Sequence, residues 1–439
     1  MKLAVIGSGI AGMGAAWLLR KDHDITLFEK GLQPGGHANT VTAVTPLGPL
    51  QVDTGFMVYN EPNYPNLCGL FDALGVQSDD TDMSFAVSVN DGDYEYAGDN
   101  LATLFAQRSN LLSVRHYRML LDILRFNKLA RRALDNDSDV GSLGDFLDRH
   151  QLSSDLSQRY LLPMTAAIWS CPTETMRDFP ALSLFRFLDN HGLISVNDRP
   201  QWKTPRGGSR RYVERLTGQL PDVRCNQSVA VVSREAAGVR VTTVSGESEC
   251  FDGVIMASHA DETLQMLGNP TEREQELLGA FAYQRNHVYL HSDISLMPAR
   301  RSVWSSWNYL TEENADAEQA VSVTYWMNRL QHLPEEAPLM VSLNPLTPPA
   351  ARSVYLETDY DHPVFDAGAV RAQASLHELQ GGDRIWFCGS YFRYGFHEDA
   401  LASAVAVARQ LGAEIPWERT SKPTTRQLPQ AALVSGESL

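Results

Sequence analysis

Leu3-Ala4-Val5-Ile6-Gly7-Ser8-Gly9-Ile10-Ala11-Gly12, continuing through Ala15-Ala16-Trp17-Leu18-Leu19, stands at the head of the chain and decides its fold. An apolar run of strand length meets a glycine turn, and an apolar stretch of helical composition follows. Gly7 permits the tight strand-to-helix turn, Gly9 lets backbone approach a pyrophosphate, and Gly12 lets the helix pack closely on the strand. Ser8 shares that turn. The N-terminus of such a helix offers free N–H groups and the positive end of its dipole to phosphate oxygens. A second apolar run, Asp24-Ile25-Thr26-Leu27-Phe28, ends in Glu29-Lys30. Glu29 stands where a carboxylate accepts ribose hydroxyls and repels a 2′-phosphate, which disfavours NADP. Read alone, the motif permits NAD or FAD.

Two further glycine signals follow the ribose acid: Gln33-Pro34-Gly35-Gly36-His37-Ala38 and Val52-Asp53-Thr54-Gly55-Phe56. A nicotinamide enzyme has no need of close backbone approaches there. A flavin enzyme, whose cofactor runs inward from the pyrophosphate, does.

At 439 residues the chain buries a large core and is expected to form two domains. Its formal charge of −16 argues against nucleic acid as a partner, because a surface that binds the phosphate backbone needs clustered Lys and Arg. The five cysteines, Cys68, Cys171, Cys225, Cys250 and Cys388, show no metal-ligand spacing, so no metal site is expected and reduced thiols fit best. The first strand begins directly after Met1-Lys2 and no apolar run is long enough to span a bilayer, which points to a cytoplasmic protein.

Residues 100–190 read as helical. The runs 228–232 and 238–242 read as strands, and 251–257 as a buried strand. Segments 287–291, 303–309 and 321–327 alternate like antiparallel strands of a second sheet. Arg384-Ile385-Trp386-Phe387-Cys388-Gly389-Ser390 reads as a strand entering a glycine turn, 398–411 as an Ala-rich helix, and the Pro/Ser/Thr-rich tail from about 414 as disordered.

Taken in order, these segments resemble the FAD-dependent amine oxidase and phytoene desaturase superfamily. Gly35-Gly36-His37-Ala38, Asp53-Thr54-Gly55-Phe56-Met57-Val58-Tyr59-Asn60, Tyr64-Pro65-Asn66 and Asp82-Met83-Ser84-Phe85 narrow the resemblance. They are similar to the flavoprotein domain of plant cyclopropane fatty acid synthases and its stand-alone bacterial relatives. Thr324-Tyr325-Trp326-Met327-Asn328 and Gly389-Ser390-Tyr391 extend the similarity to about residue 412. It implies an amine-oxidase-like α/β fold: a discontinuous, Rossmann-like FAD-binding domain (1–75, 200–260 and 380–412), an inserted α+β substrate domain (76–199 and 261–379) and a tail (413–439).

On that resemblance Gly7, Ser8, Gly9 and Gly12 hold the pyrophosphate, Glu29 with Lys30 adjoins the ribose, and Gly35, Gly36 and His37 pass close to the cofactor. Val229 contacts the adenine end; Gly389, Asp399 and Ala400 approach the phosphate and flavin; Gly55 and Phe56 lie near the isoalloxazine ring. Residues 352–387 lack the cysteine that bonds flavin covalently in monoamine oxidases, so non-covalent FAD is expected. The chain also has no lysine between Thr204 and Ser421, although many amine oxidases use one to hold a water at the flavin. That absence speaks against amine oxidation.

Flavin carries its own redox chemistry, so the protein need supply only orientation, a shaped pocket and one acid or base. His397 and Tyr394 are the proton carriers that the family pattern brings near the flavin; a structural hydrogen bond is the competing reading for each. Trp304, Trp307, Tyr325 and Trp326 sit on alternating strands, so half face a pocket and half face core. Asn328 is a weaker polar candidate. Arg108, Arg115, Arg118, Arg125, Lys128, Arg131 and Arg132 share a helical stretch whose only acid is Asp122. Helical spacing sets Arg115, Arg118, Arg125 and Arg132 on one face and Met119, Leu120, Ile123, Leu124 and Phe126 on another. The basic face is either simply solvated or docks peripherally on the anionic inner face of a membrane.

The resemblance implies an FAD-dependent oxidoreductase that dehydrogenates or reduces an unsaturated, methylated or cyclopropanated fatty acyl chain on phospholipid. The alternatives are a flavin amine oxidase, or a non-catalytic flavoprotein partner of a lipid methyltransferase.

Overall fold

A computed structural model of the chain describes residues 1–136, 140–169, 176–194, 200–312 and 322–418. The opening motif does build a strand, Lys2–Ile6, and a helix, Ile10–Leu19, joined by the glycine turn. Every residue of that helix is buried, so it is a core element and not an amphipathic surface one. The strand is central in a five-stranded parallel sheet ordered Asp222–Arg224, Asp24–Phe28, Lys2–Ile6, Gly253–Met256, Ile385–Phe387. Its apolar strands run without alternation because both faces are covered. The C-terminal helix His397–Gln410 packs against Ile10–Leu19, where Gly14 leaves room for Leu401. Residues far apart in sequence therefore meet at the C-terminal edge of one sheet, the place where open α/β folds bind ligands.

A second sheet of seven strands is ordered Val354–Val364, Ala282–His291, Met340–Leu343, Ser322–Trp326, Trp307–Thr311, Phe85–Val89, Tyr94–Ala97. All neighbours run antiparallel except Trp307–Thr311 beside Phe85–Val89. One expected strand shifts: 301–303 is a 3-10 turn and the strand starts only at Trp307. The helices of 101–190 cover this half, with Phe126 of Val114–Asp135 set edge-on to Phe185 of Ala181–Asn190 at 5.5 Å.

The start of the tail departs from the expected disorder. Ala413 and Ile415 are buried, and Trp417 stacks on Trp17 at 6.5 Å. Residues 419–439 lie outside the described residues.

Two motifs converge on a lock between the halves. Buried Asp53 accepts from Thr40 Oγ1 (2.6 Å), Ser209 N (2.9 Å), Ser209 Oγ (2.8 Å) and Gln331 Nε2 (2.9 Å). The Gly207-Gly208-Ser209 turn is thereby clamped onto the Thr40–Thr45 hairpin strand. Gly208 has φ +88°, and a Cβ there would sit 2.7 Å from Thr40 Oγ1. Burial, countered by these donors, raises the Asp53 pKa to about 6.

Candidate cofactor and substrate site

A single cavity of about 990 Å³ runs from the glycine turn into the space between the two sheets. Ser228, Val229, Ala230 and Met266 line one end; Glu29, Gly7, Ser8, Gly9, Gly36 and His37 follow; Gly55, Phe56, Gly389, His397 and Ala400 line the middle. Among them Val229, Glu29, Gly7, Ser8, Gly9, Gly36, His37, Gly55, Phe56, Gly389 and Ala400 are residues that the resemblance assigns to the cofactor. Lys30 lines the cavity as well, but its ammonium pairs with Glu262 at 2.5 Å.

Three assigned residues stay off the wall. Gly12 has no space for a Cβ, which would collide with Gly7 O, and Gly35 packs against Ala38 O. Both shape the turns behind the cavity. Asp399 is buried and accepts from Phe396 N at 3.0 Å, so its carboxylate caps its own helix. Burial raises its pKa to about 6. Neighbouring Glu398 is spent in the same way, accepting from Asn66 N and Leu67 N at the head of the helix Pro65–Leu74.

The wall suits a dinucleotide on four counts. The helix Ile10–Leu19 has no side-chain cap and no acid in its first turn, leaving amide donors for an anion. A Cβ on Gly9 would meet no atom within 4 Å, so the space beside it belongs to the cavity. Glu29 is held in place, Oε2 accepting from Ser8 N at 3.0 Å and from Ser8 Oγ at 2.5 Å, and Oε1 from Gly31 N at 2.6 Å, which leaves lone-pair capacity on Oε1. His37 Nε2 is buried with no hydrogen-bond partner among the described residues, as expected of a polar group that awaits a ligand. Burial first, then the nearby His362, His259 and His397, keep His37 neutral.

Beyond the middle the lining becomes aromatic. Phe187, His191, Trp202, Tyr394 and Phe396 form a mutually contacting cluster, with Phe187 stacked on Phe396 at 5.1 Å and His191 on Phe187 at 4.0 Å. Opposite them the sheet presents Phe85, Trp307 and Tyr325, the last two edge-on at 5.1 Å. Trp304 and Trp326 face the other way and pair with each other at 5.5 Å in a separate core. Asn328 is likewise off the wall, donating to Pro334 O and Ala337 O.

Among the described residues the carboxylates of the lining are Glu29, Glu262, Asp359 and Asp361. Against the lowering effect of burial, the hydrogen bond to Glu262 and the charges of Glu262, Glu29 and Asp361 raise the Lys30 pKa, which groups these acids at the Lys30 end. Asp359 pairs with His287 at 2.7 Å. Among the described residues the aromatic end holds neither a carboxylate nor a lysine.

The two proton carriers expected from sequence both reach the cavity, with different equipment. His397 is stacked on Phe56 at 3.9 Å and shares a 2.8 Å hydrogen bond with Tyr212 through Nε2; burial pushes its pKa down to about 3. The structural hydrogen bond that competes with proton transfer at His397 is thus present, and a ring so fixed can position Phe56. Tyr394 keeps its phenolic proton, since burial, followed by the charge of Asp399, raises its pKa.

Sequence reasoning missed His191. Its Nδ1–H donates to Phe187 O at 2.9 Å, which fixes the tautomer and leaves Nε2 as an acceptor. Burial lowers its pKa to about 4, so the ring is neutral. No local motif marks Asn190-His191-Gly192; only the meeting of helix and cavity does.

Residues 10–336 match the sequence model of the family described as flavin containing amine oxidoreductase. Among solved structures, a CLA-producing fatty acid isomerase from P. acnes shares 14% identity at TM-score 0.65, over 93% of this chain and 98% of that one. A wild-type putrescine oxidase bound to putrescine shares 17% identity at TM-score 0.64, over 94% and 99%. Cyclohexylamine oxidase from Brevibacterium oxydans IH-35A shares 14% at TM-score 0.63, over 93% and 99%. These likenesses establish the amine-oxidase-like α/β fold.

Proposed function

The chain belongs to the flavin containing amine oxidoreductase family, and from that premise we propose that this FAD-dependent oxidoreductase acts on a fatty acyl chain. The substrate class is an unsaturated, methylated or cyclopropanated chain carried on phospholipid, and the reaction is a dehydrogenation or its reverse. One observation carries the reading: the aromatic end of the cavity is built from Phe85, Phe187, Trp307, Tyr325 and Phe396, with Met164, Ile168 and Leu343, and among the described residues it holds no carboxylate and no lysine. Such a wall suits an alkyl chain. A cationic amine, by contrast, would be desolvated there without a counter-charge.

FAD, when bound, accepts or returns a hydride. Gly9 and the first turn of Ile10–Leu19 would hold its pyrophosphate, Glu29 its ribose, and Val229 its adenine end. Among the described residues no cysteine lines the cavity, which supports non-covalent binding. His191 Nε2 would accept the proton that a dehydrogenation releases and, once protonated, would return the same proton in the reverse direction; Tyr394, whose phenol stays protonated, would orient the chain beside it. The aromatic lining excludes water from both.

The fatty acid isomerase among the structural neighbours and the resemblance to the flavoprotein domain of cyclopropane fatty acid synthases add support. They also make a lipid methyltransferase a reasonable partner and the cytoplasmic face of a membrane a reasonable place of work. Two amine oxidases among the neighbours favour the second reading, oxidation of an amine. Comparing the lipidomes of cells with and without the gene distinguishes them. A change in unsaturated, methylated or cyclopropanated acyl species is expected; an unchanged lipidome, with release of hydrogen peroxide from amines, supports the second reading.

A further inference from the structure

The helix Val114–Asp135 turns Met119, Phe126, Asn127 and Ala130 inward, yet its outer face is not polar in the usual way. Val114 is 81% exposed, Leu121 68% and Leu124 55%, and in the preceding turn Leu112 is 90% exposed. Leu124 thus lies on the solvent side, contrary to the grouping that helical spacing suggested. The same face carries Arg118, Arg125, Lys128 and Arg132, all exposed and without an ion pair among the described residues. The acid Asp122 is turned in and accepts from Ser153 N. A cluster of cations on a chain of charge −16, interleaved with exposed leucines, matches a surface that is negative outside and apolar just beneath.

We propose that this face docks on the surface of an anionic phospholipid bilayer, its leucines entering the interface and its cations meeting lipid phosphates. Its place in the fold is suited to delivery. On the inner side Phe126 packs on Phe185, two residues from the cavity-lining Phe187. Arg131 donates to Ile194 O, next to the cavity-lining Leu193. The helix Ala181–Asn190 thus lies between the docked helix and the aromatic end of the cavity. The inference rests on exposed side chains alone and stands apart from the substrate reading.

The test is co-sedimentation of the holoenzyme with vesicles of fully saturated phosphatidylcholine, with or without saturated phosphatidylglycerol. These vesicles offer no double bond, branch or ring, so a failure of the substrate reading leaves the result unchanged. Binding is expected only with phosphatidylglycerol and is expected to weaken as salt rises. Arg118→Glu with Arg125→Glu should weaken it about thirtyfold or more, and Leu112→Asp with Leu121→Asp should abolish it, with flavin content unchanged in both. Equal binding to neutral vesicles, no binding, or indifference to either variant overturns the proposal. So does a dimer in light scattering that the leucine variant dissolves, because a second copy would then be the occupant.

Discussion

Phe56 and His397 lie face to face, ring centroids 3.9 Å apart and planes 13° from parallel, while Tyr212 holds the imidazole from behind through a 2.8 Å hydrogen bond. Two segments separated by most of the chain thus fix each other at the middle of the cavity. His397→Phe keeps the stack and leaves the buried Tyr212 hydroxyl unpaired, at a cost of about 1–3 kcal/mol. A positioning role requires the pH dependence of turnover to keep its shape in that variant; loss of an ionisation from the profile would return His397 to proton transfer.

Glu29→Arg removes a carboxylate that Ser8 and Gly31 hold toward the cavity. FAD affinity should fall about tenfold or more, the scale of a lost charge-assisted hydrogen bond. Equilibrium dialysis of the apoprotein measures it, and unchanged affinity would remove Glu29 from the ribose site.

His191→Phe retains the stack on Phe187 and deletes the acceptor nitrogen. Turnover should drop about 100-fold or more while the flavin spectrum stays unchanged. Turnover equal to that of the unaltered enzyme would exclude His191 as the proton acceptor.

Asp53→Ala strips the clamp of its four-donor acceptor and leaves Thr40, Ser209 and Gln331 without it. A loss of about 3 kcal/mol is expected, read as a lower unfolding midpoint. A midpoint equal to that of the unaltered protein would show the clamp to be idle.

Acid stability follows from buried groups of both kinds. His191, His291 and His362 are lowered to about 4 and His397 to about 3, each by burial. The unfolded chain takes up these protons below about 6.5 and the folded chain does not, so their contribution is lost as pH falls from 7 toward 4. Asp53, Asp399 and Glu398, raised by burial to about 6, 6 and 7, act oppositely, adding stability at low pH that is lost as pH rises. The histidines outnumber them, and His37 is lowered too. The apoprotein's unfolding midpoint should therefore fall between pH 7 and pH 5, and His362→Gln should lessen the fall. A midpoint that rises on acidification would contradict this balance.

The parts that sequence foretold are those whose signal is local. Gly7 to Gly12 and Glu29 carry their meaning in spacing, because turn, helix and ribose acid must follow one another in order. Strand alternation likewise separated Tyr325 from Trp326, although not which of them faced the cavity, whereas Trp304, expected on one strand with Trp307, lies in the turn before it. Asp399 fits two readings in sequence, because a first-turn carboxylate that caps a helix and one that meets a ligand look alike there, and it is seen to cap its own helix. Leu124 was misread because a helical wheel sorts residues into faces without saying which residues lie against a neighbour. His191, the Asp53 clamp and the docking of Trp417 depend on contacts between distant segments, and no window of sequence contains them.

Anaerobic mixing of the holoenzyme with defined lipids and amines tests the central claim most directly. Phospholipid bearing an unsaturated, methylated or cyclopropanated chain should bleach oxidised flavin or reoxidise reduced flavin, while putrescine and cyclohexylamine leave both spectra unchanged. Bleaching by an amine, with no response to any of the lipids in either direction, would contradict it.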